Sequence, residues 1–255
     1  MFDARGPRQP WHVRNDVFGG LSVACCLSPY YTDPMPPVPP PPAERGPSIV
    51  RFRTGEDLRS RSVSDVVLVG TLDVPMPPAR LTADWEREVS SRLGLAPGDV
   101  EPLPLPRARA RWPDYRPCVQ AMADWTRTLG LSEVLASSEV ALMACRGARV
   151  HHDAAQYGSA AFCNLFLSED KGLDLHFPAV GLRMPLVRGL AVVFDTGQPH
   201  AVLRRGRSGF DEADFAAEVD ATLVFLSWEL PIEDAHVARA LGVVFDGEPP
   251  IERST

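Results

Sequence analysis

The sequence is poor in the features that mark several common protein classes. Its five cysteines are Cys25, Cys26, Cys118, Cys145 and Cys163. The number is odd and no pair has zinc-site spacing, which argues against a disulfide framework and a structural zinc site. A reducing, cytoplasmic setting is expected. Positive charge is in short supply: 26 Lys and Arg stand against 33 Asp and Glu, for a net charge of −7. Such a chain has no general attraction for nucleic-acid phosphates. The one basic stretch, Arg107 to Arg111 with Arg116 beyond it, is flanked by Pro and Trp and reads as a solvated linker face. No apolar run reaches the length that spans a membrane; Phe18 to Leu27 is too short and too rich in glycine. The N-terminus has no basic region followed by an apolar run, so no signal peptide is expected. No internal repeat is visible.

What the chain does have is proline, 26 residues of it, and an ordinary apolar fraction of 45% over 255 residues. That suits one large domain with a substantial core. Residues 1–47 form an irregular arm, in which Pro34, Pro36, Pro37 and the run Pro39 to Pro42 favour polyproline II. Residues 48–255 form the single folded domain. Ile49 to Arg53 and Val66 to Leu72 read as strands. A helix is expected over Thr82 to Leu93, with Thr82 as cap, Trp85, Val89 and Leu93 on one face, and Gly94 as stop. A second follows over Cys118 to Leu129, with Met122 and Trp125 on its apolar face. Trp85 and Trp125 read as core anchors. These helices, about residues 80–137, would support what comes next.

From about residue 138 to 230 the texture changes to short apolar segments separated by Gly, Pro and Asp. Strands are expected at Val140–Cys145, Ala148–Asp153, Ala161–Leu167, Leu173–Phe177, Met184–Val187, Leu190–Phe194, His200–Arg204 and Thr222–Trp228. Eight short strands at this spacing indicate a β-barrel or jelly roll. The fold class is mainly β with flanking helices. Asp195 ends a strand and reads as a turn former.

Three residues carry a candidate chemistry. Val150-His151-His152-Asp153 closes a strand with H-x-D. Strand side chains alternate, so His151 and Asp153 would share a face while His152 points away. An imidazole and a carboxylate on one face are two ligands of a site made by two histidines and one carboxylate. Such a site leaves positions open on an octahedral iron. The third ligand is offered by His200, which opens a strand after the turn Asp195-Thr196-Gly197-Gln198-Pro199. His176, on its strand beside Leu175 and Phe177, is expected to face outward.

His151-x-Asp153, then Phe162-Cys163-Asn164-Leu165-Phe166-Leu167, then Gly172-Leu173-Asp174-Leu175-His176-Phe177-Pro178, then Gly189 to Val202, resembles the Fe(II)/2-oxoglutarate-dependent dioxygenase superfamily in its prolyl-hydroxylase-like branch. The likeness covers about residues 140–230. It implies a double-stranded β-helix core of the jelly-roll, cupin-like kind. It also implies Fe(II) held by His151, Asp153 and His200, with 2-oxoglutarate and O2 as co-substrates. The implied reaction is hydroxylation of a small-molecule or peptidyl substrate, with release of succinate and CO2. One departure matters. The family usually places a basic residue about ten positions past the distal histidine to hold the far carboxylate of 2-oxoglutarate. Here Gly209-Phe210-Asp211-Glu212 stands there. An extended strand from His200 puts Val202 and Arg204 on the inner face with it, so Arg204 is the first substitute, and Arg205 the second if the strand bulges. Asn164 is a further candidate contact to the co-substrate. The missing base also suits a cupin-like metalloenzyme that does not use 2-oxoglutarate. A non-catalytic β-helix interaction module with the Pro-rich arm as binding element is the third reading. The sequence leaves the oligomeric state open.

Overall fold

The computed structural model describes residues 48–216 and 218–246. The Pro-rich arm, with His12, Cys25 and Cys26, lies outside the described residues. The described chain opens with a hairpin, β1 (Ile49–Thr54) and β2 (Asp57–Ser62), followed by β3 (Val67–Thr71). A helical region follows: α1 (Ala79–Arg87), which runs on as π-helical turns over Glu88–Leu93, then β4 (Val100–Leu103), α2 (Leu105–Arg109), α3 (Tyr115–Thr128) and α4 (Ser132–Ser137). The remainder is mostly strand: β5 (Val140–Cys145), β6 (Ala148–His151), α5 (Ala154–Tyr157), β7 (Ala160–Phe166), β8 (Leu173–Phe177), β9 (Leu182–Pro185), β10 (Leu190–Asp195), β11 (His200–Arg204), β12 (Leu223–Pro231) and α6 (Ala235–Leu241).

The strands make two larger antiparallel sheets, with the β1–β2 hairpin as a separate third. One sheet has six strands in the order β3-β10-β7-β12-β5-β4, and the other has four in the order β6-β11-β8-β9. The alternation of side chains along each strand assigns their faces. Leu190, Val192 and Phe194 of β10, Phe166 of β7 and Leu223 and Phe225 of β12 meet Leu173, Leu175 and Phe177 of β8 and Val202 of β11 in one buried cluster. The intervening residues Cys163, Leu165, Val193, Leu226 and Trp228 face the other way, onto Trp85, Met122, Leu135 and Val237. The six-stranded sheet is therefore covered on both faces, which explains the near-continuous apolar runs of β7, β10 and β12. Each large apolar side chain so buried contributes about 1.5–3 kcal/mol.

The strand pattern expected from the sequence is present with shifted ends, and the supporting segment differs more. The first helix begins at Ala79, not Thr82, and has no side-chain cap. Thr82 instead donates its hydroxyl to the Ala79 carbonyl. Gly94 does end the helical run, in the left-handed region at φ 58°. The Pro-rich connection contains β4 and α2. Trp85 is buried, whereas Trp125 is half-buried and lies over Gly70, where a Cβ would come 2.5 Å from its indole Nε1. The strand β2 had no sequence signal: Asp-Leu-Arg-Ser-Arg-Ser is polar but for Leu58, and its pairing with β1 supplies what propensity does not. Helix α6 was also unforeseen; Asp234 caps it by accepting from the amides of His236 and Val237. Among the described residues, no helix is long and apolar enough to cross a membrane.

Candidate metal centre

The strand β10 carries Phe194 into the inter-sheet core and ends in a tight turn. Within that turn the Gly197 amide donates to Asp195 Oδ1 at 2.8 Å, and the Gln198 amide donates to the Asp195 carbonyl at 2.9 Å. This is the self-closing turn that a short acidic side chain favours. Pro199 follows, and His200 opens β11 directly opposite His151, the last residue of β6. The two rings lie 4.5 Å apart, centre to centre. His200 is buried against Phe194, whose ring centre is 4.9 Å away.

Asp153 arrives by a different route from the one its spacing suggests. The strand β6 stops at His151, so strand alternation does not bring the carboxylate round. The chain turns at Asp153, with φ −100° and ψ 7°, as the lead-in to α5. Its amide donates to the Thr196 carbonyl at 2.8 Å, and its own carbonyl accepts from the amides of Gln156 and Tyr157. The carboxylate then reaches both imidazoles: Oδ1 is 3.5 Å from His151 Nε2, and Oδ2 is 3.4 Å from His200 Nε2. One donor atom from each of the three residues lies within 4.8 Å of the others. His152 is exposed and His176 half-buried; neither belongs to the cluster.

Both histidines are oriented from behind. His151 Nδ1 lies 2.7 Å from the Arg149 carbonyl, and His200 Nδ1 lies 3.0 Å from the Gln198 carbonyl. A carbonyl only accepts, so each Nδ1 carries a proton and each Nε2 is turned toward Asp153. The hydrogen bond it donates to Asp153 raises the pKa of His151 above its ordinary value against the effect of burial. Burial lowers that of His200. For Asp153, burial acts upward, but the hydrogen bond from His151 and the neighbouring imidazoles outweigh it and keep the carboxyl below its ordinary value. A carboxylate and two Nε2 lone pairs aimed at one point can hold a divalent transition metal on one face.

The residues considered for a co-substrate sit further along. Arg204 is half-buried at the end of β11, two and four residues past the inward Val202 and His200, and donates to the Lys171 carbonyl at 3.0 Å. The irregularity between β6 and β11 falls where three residue steps along β6, His151 to Ala148, match two along β11, His200 to Val202, so β11 itself keeps its alternation. Arg205 therefore turns outward. Its Nη atoms meet Asp170 at 2.9 Å and its Nε meets Asp174 at 2.9 Å. The hydrogen bonds it donates to Asp170 and Asp174 raise its pKa above the ordinary value. Asn164 lies on β7 between Val192 and Ser227 of the adjoining strands. Its Oδ1 is buried and has no hydrogen-bond partner among the described residues.

Sequence reasoning missed the polar frame behind the ligands. Asp195, Thr196 and Gln198 are all buried, and so is Arg61 from the distant hairpin. Asp-Thr-Gly at a strand end hints at a closed turn, but nothing in the sequence marks Arg61 as its partner.

No protein-family model matches the sequence, and no curated protein matches it. Solved structures do. A prolyl-4-hydroxylase from Pseudomonas putida is 18% identical, with 65% of this chain and 92% of that chain covered and a TM-score of 0.36. SnoN, a non-haem alpha-ketoglutarate-dependent epimerase from nogalamycin biosynthesis, is 13% identical, with 73% and 88% covered and a TM-score of 0.36. Vicilin from hazelnut, Corylus avellana, is 14% identical, with 45% and 27% covered and a TM-score of 0.25.

Proposed function

We propose that this protein is a non-haem Fe(II)- and 2-oxoglutarate-dependent oxygenase built on a double-stranded β-helix. The observation that carries the reading is the convergence of His151, Asp153 and His200 within 4.8 Å, with each Nδ1 against a backbone carbonyl and each Nε2 facing the cluster. The strand orders β10-β7-β12-β5 and β6-β11-β8-β9 support the β-helix, since each sheet joins strands that are far apart in sequence. His151, Asp153 and His200 would hold the metal. Arg204 is the candidate for the far carboxylate of 2-oxoglutarate: among the described residues it has no carboxylate partner, whereas Arg205 has two. A guanidinium fork binds a carboxylate by two parallel hydrogen bonds. Asn164, with its unpartnered Oδ1, is the candidate for a further polar contact. Iron with the keto acid and O2 supplies the oxidising chemistry that hydroxylates substrate and releases succinate and CO2. The protein's part is to orient the ligands and wall the site with Phe177 and Phe194. The substrate class is a small molecule or a peptide.

One observation favours a second reading, a cupin-like metalloenzyme that does not use 2-oxoglutarate. About ten residues past His200 the chain reads Gly209-Phe210-Asp211-Glu212, with no basic residue to hold the far carboxylate of 2-oxoglutarate. Anaerobic calorimetry with Mn(II) in place of Fe(II) separates the two. Metal-dependent 2-oxoglutarate binding that is lost in His151→Ala and weakened at least tenfold in Arg204→Met is the expected result. Metal binding without 2-oxoglutarate binding selects the second reading, and absence of metal binding overturns both.

A further inference from the structure

The β1–β2 hairpin stands outside both larger sheets, yet it touches the metal centre's frame at several points. A Cβ on Gly158, at the end of α5, would meet Phe52 Cβ at 3.0 Å and Val50 Cγ1 at 3.2 Å. One on Gly197 would meet Val50 Cγ2 at 2.8 Å. The hairpin thus packs on α5, which follows Asp153, and on the turn that precedes His200. Between these contacts Arg61 enters from β2 with its side chain 0% exposed. Its Nη1 and Nη2 each lie 2.7 Å from one oxygen of Asp195, also 0% exposed, in a two-pronged pair. Its Nε donates to the Gly158 carbonyl at 2.9 Å.

Asp195 accepts two further hydrogen bonds, from the Ser64 amide at 2.8 Å and the Gly197 amide at 2.8 Å. Both oxygens of the carboxylate are engaged, each by two donors, which restrains the turn Asp195–Pro199. That turn supplies the two backbone carbonyls on which the metal ligands rest. Thr196 accepts from the Asp153 amide at 2.8 Å, and Gln198 accepts from His200 Nδ1. The Thr196 hydroxyl, shared between the carbonyls of Tyr157 at 2.7 Å and Ala160 at 2.8 Å, ties the turn to both ends of the segment that follows α5.

We infer that Arg61 is a positioning residue for the metal centre, acting through Asp195 on the turn that orients Asp153 and His200. The inference rests on the metal-centre reading given above. It gives a residue some 90 positions before the first ligand, on a strand outside the barrel, control over how well the site holds a metal. A guanidinium is required because the fork and the third donor to Gly158 are used together; a lysine ammonium offers a point charge and no fixed geometry.

The test uses the full chain, with Co(II) as probe, visible absorbance as readout, and amide hydrogen exchange of the metal-free protein. Arg61→Lys should keep its far-UV circular dichroism, bind Co(II) 10–100-fold more weakly and show an altered Co(II) spectrum. The Asp153 and Gly197 amides should exchange faster, while those of β5 and β12 stay as they were. Wild-type affinity and wild-type exchange in a folded Arg61→Lys overturn the inference. The charge-free double variant Arg61→Met/Asp195→Asn separates stability from positioning: recovered stability with weak Co(II) binding supports the inference, and recovery of both overturns it. Should neither variant fold, the wild type alone decides. There the Ser64, Gly197 and Asp153 amides must open together, and independent opening of Asp153 overturns the inference. A wild type that binds no Co(II) removes the metal-centre reading, while exchange still reports whether Arg61 orders the turn.

Discussion

Arginine–carboxylate pairs brace both ends of the two-sheet core, but they are set in opposite surroundings. At the metal end, Arg61 and Asp195 are sealed from solvent and saturated with hydrogen bonds. At the other end, Arg205 bridges Asp170 and Asp174, Arg207 meets Asp214, and Lys171 meets Asp220, with one or both partners at the surface. Solvated pairs of this kind hold loops together loosely, since water competes for both charges. A buried fork has no such competitor, and its worth depends on both partners being present. The metal end is therefore built to hold one geometry, and the far end to tolerate several.

The largest expected effect concerns what the rigid end is for. Asp153→Ala removes the carboxylate from the cluster and should abolish Mn(II) binding by calorimetry while leaving the fold intact by circular dichroism; retained binding would detach the rigid frame from any metal. Next is the frame itself. Asp195→Ala leaves the Arg61 charge buried without a partner and should cost about 3–5 kcal/mol in urea unfolding. A cost under 1 kcal/mol would erase the contrast between the two ends.

A smaller effect follows from protonation. In the metal-free protein the hydrogen bond donated to Asp153 raises the pKa of His151 above the ordinary 6.5. The stabilisation from that bond is full below the ordinary value and is lost as pH rises through the raised one. Metal binding needs the same imidazole neutral, so the sign reverses. Affinity for Mn(II) should fall as pH drops below the raised pKa, by up to about tenfold per unit, which is about 1.4 kcal/mol. Burial lowers the pKa of His200, so it is neutral in this window and one proton should be released per ion bound. Calorimetry in buffers of different ionisation enthalpy counts that proton; a count of two would place both histidines in the charged form. The smallest effect belongs to the far end. Asp170→Ala removes an exposed partner of Arg205 and should cost less than about 1 kcal/mol, with Mn(II) affinity unchanged.

The same contrast shows what a sequence reader can and cannot see. The strands β7, β8, β10 and β11 announce themselves through alternating or continuous apolar residues, and with them the spacing of His151, Asp153 and His200. The cluster was legible because its residue types are few and chemically specific. Its construction was not. Asp153 was expected on a strand, yet it comes off a turn whose geometry depends on the Thr196 carbonyl, a backbone group with no letter in the sequence. Arg61 sits in a polar strand that reads as surface, and its partner lies 134 residues away. Burial of a charge is a property of the assembled fold, and one arginine among many carries no mark of it. Which of Arg204 and Arg205 faces inward also waited on structure, because it turns on which strand of a pair holds the irregularity.

The 134-residue separation of Arg61 and Asp195 has a consequence in time as well as space. During synthesis the hairpin emerges early and has nothing to close on until the chain beyond residue 200 has been made. Contacts this distant in sequence form late, since the cost of closing the loop precedes any gain. The hairpin is thus the first part of the described chain to be synthesised and among the last to be docked. On the proposed metal-centre reading, an ion arriving before that moment would meet three ligands without their frame.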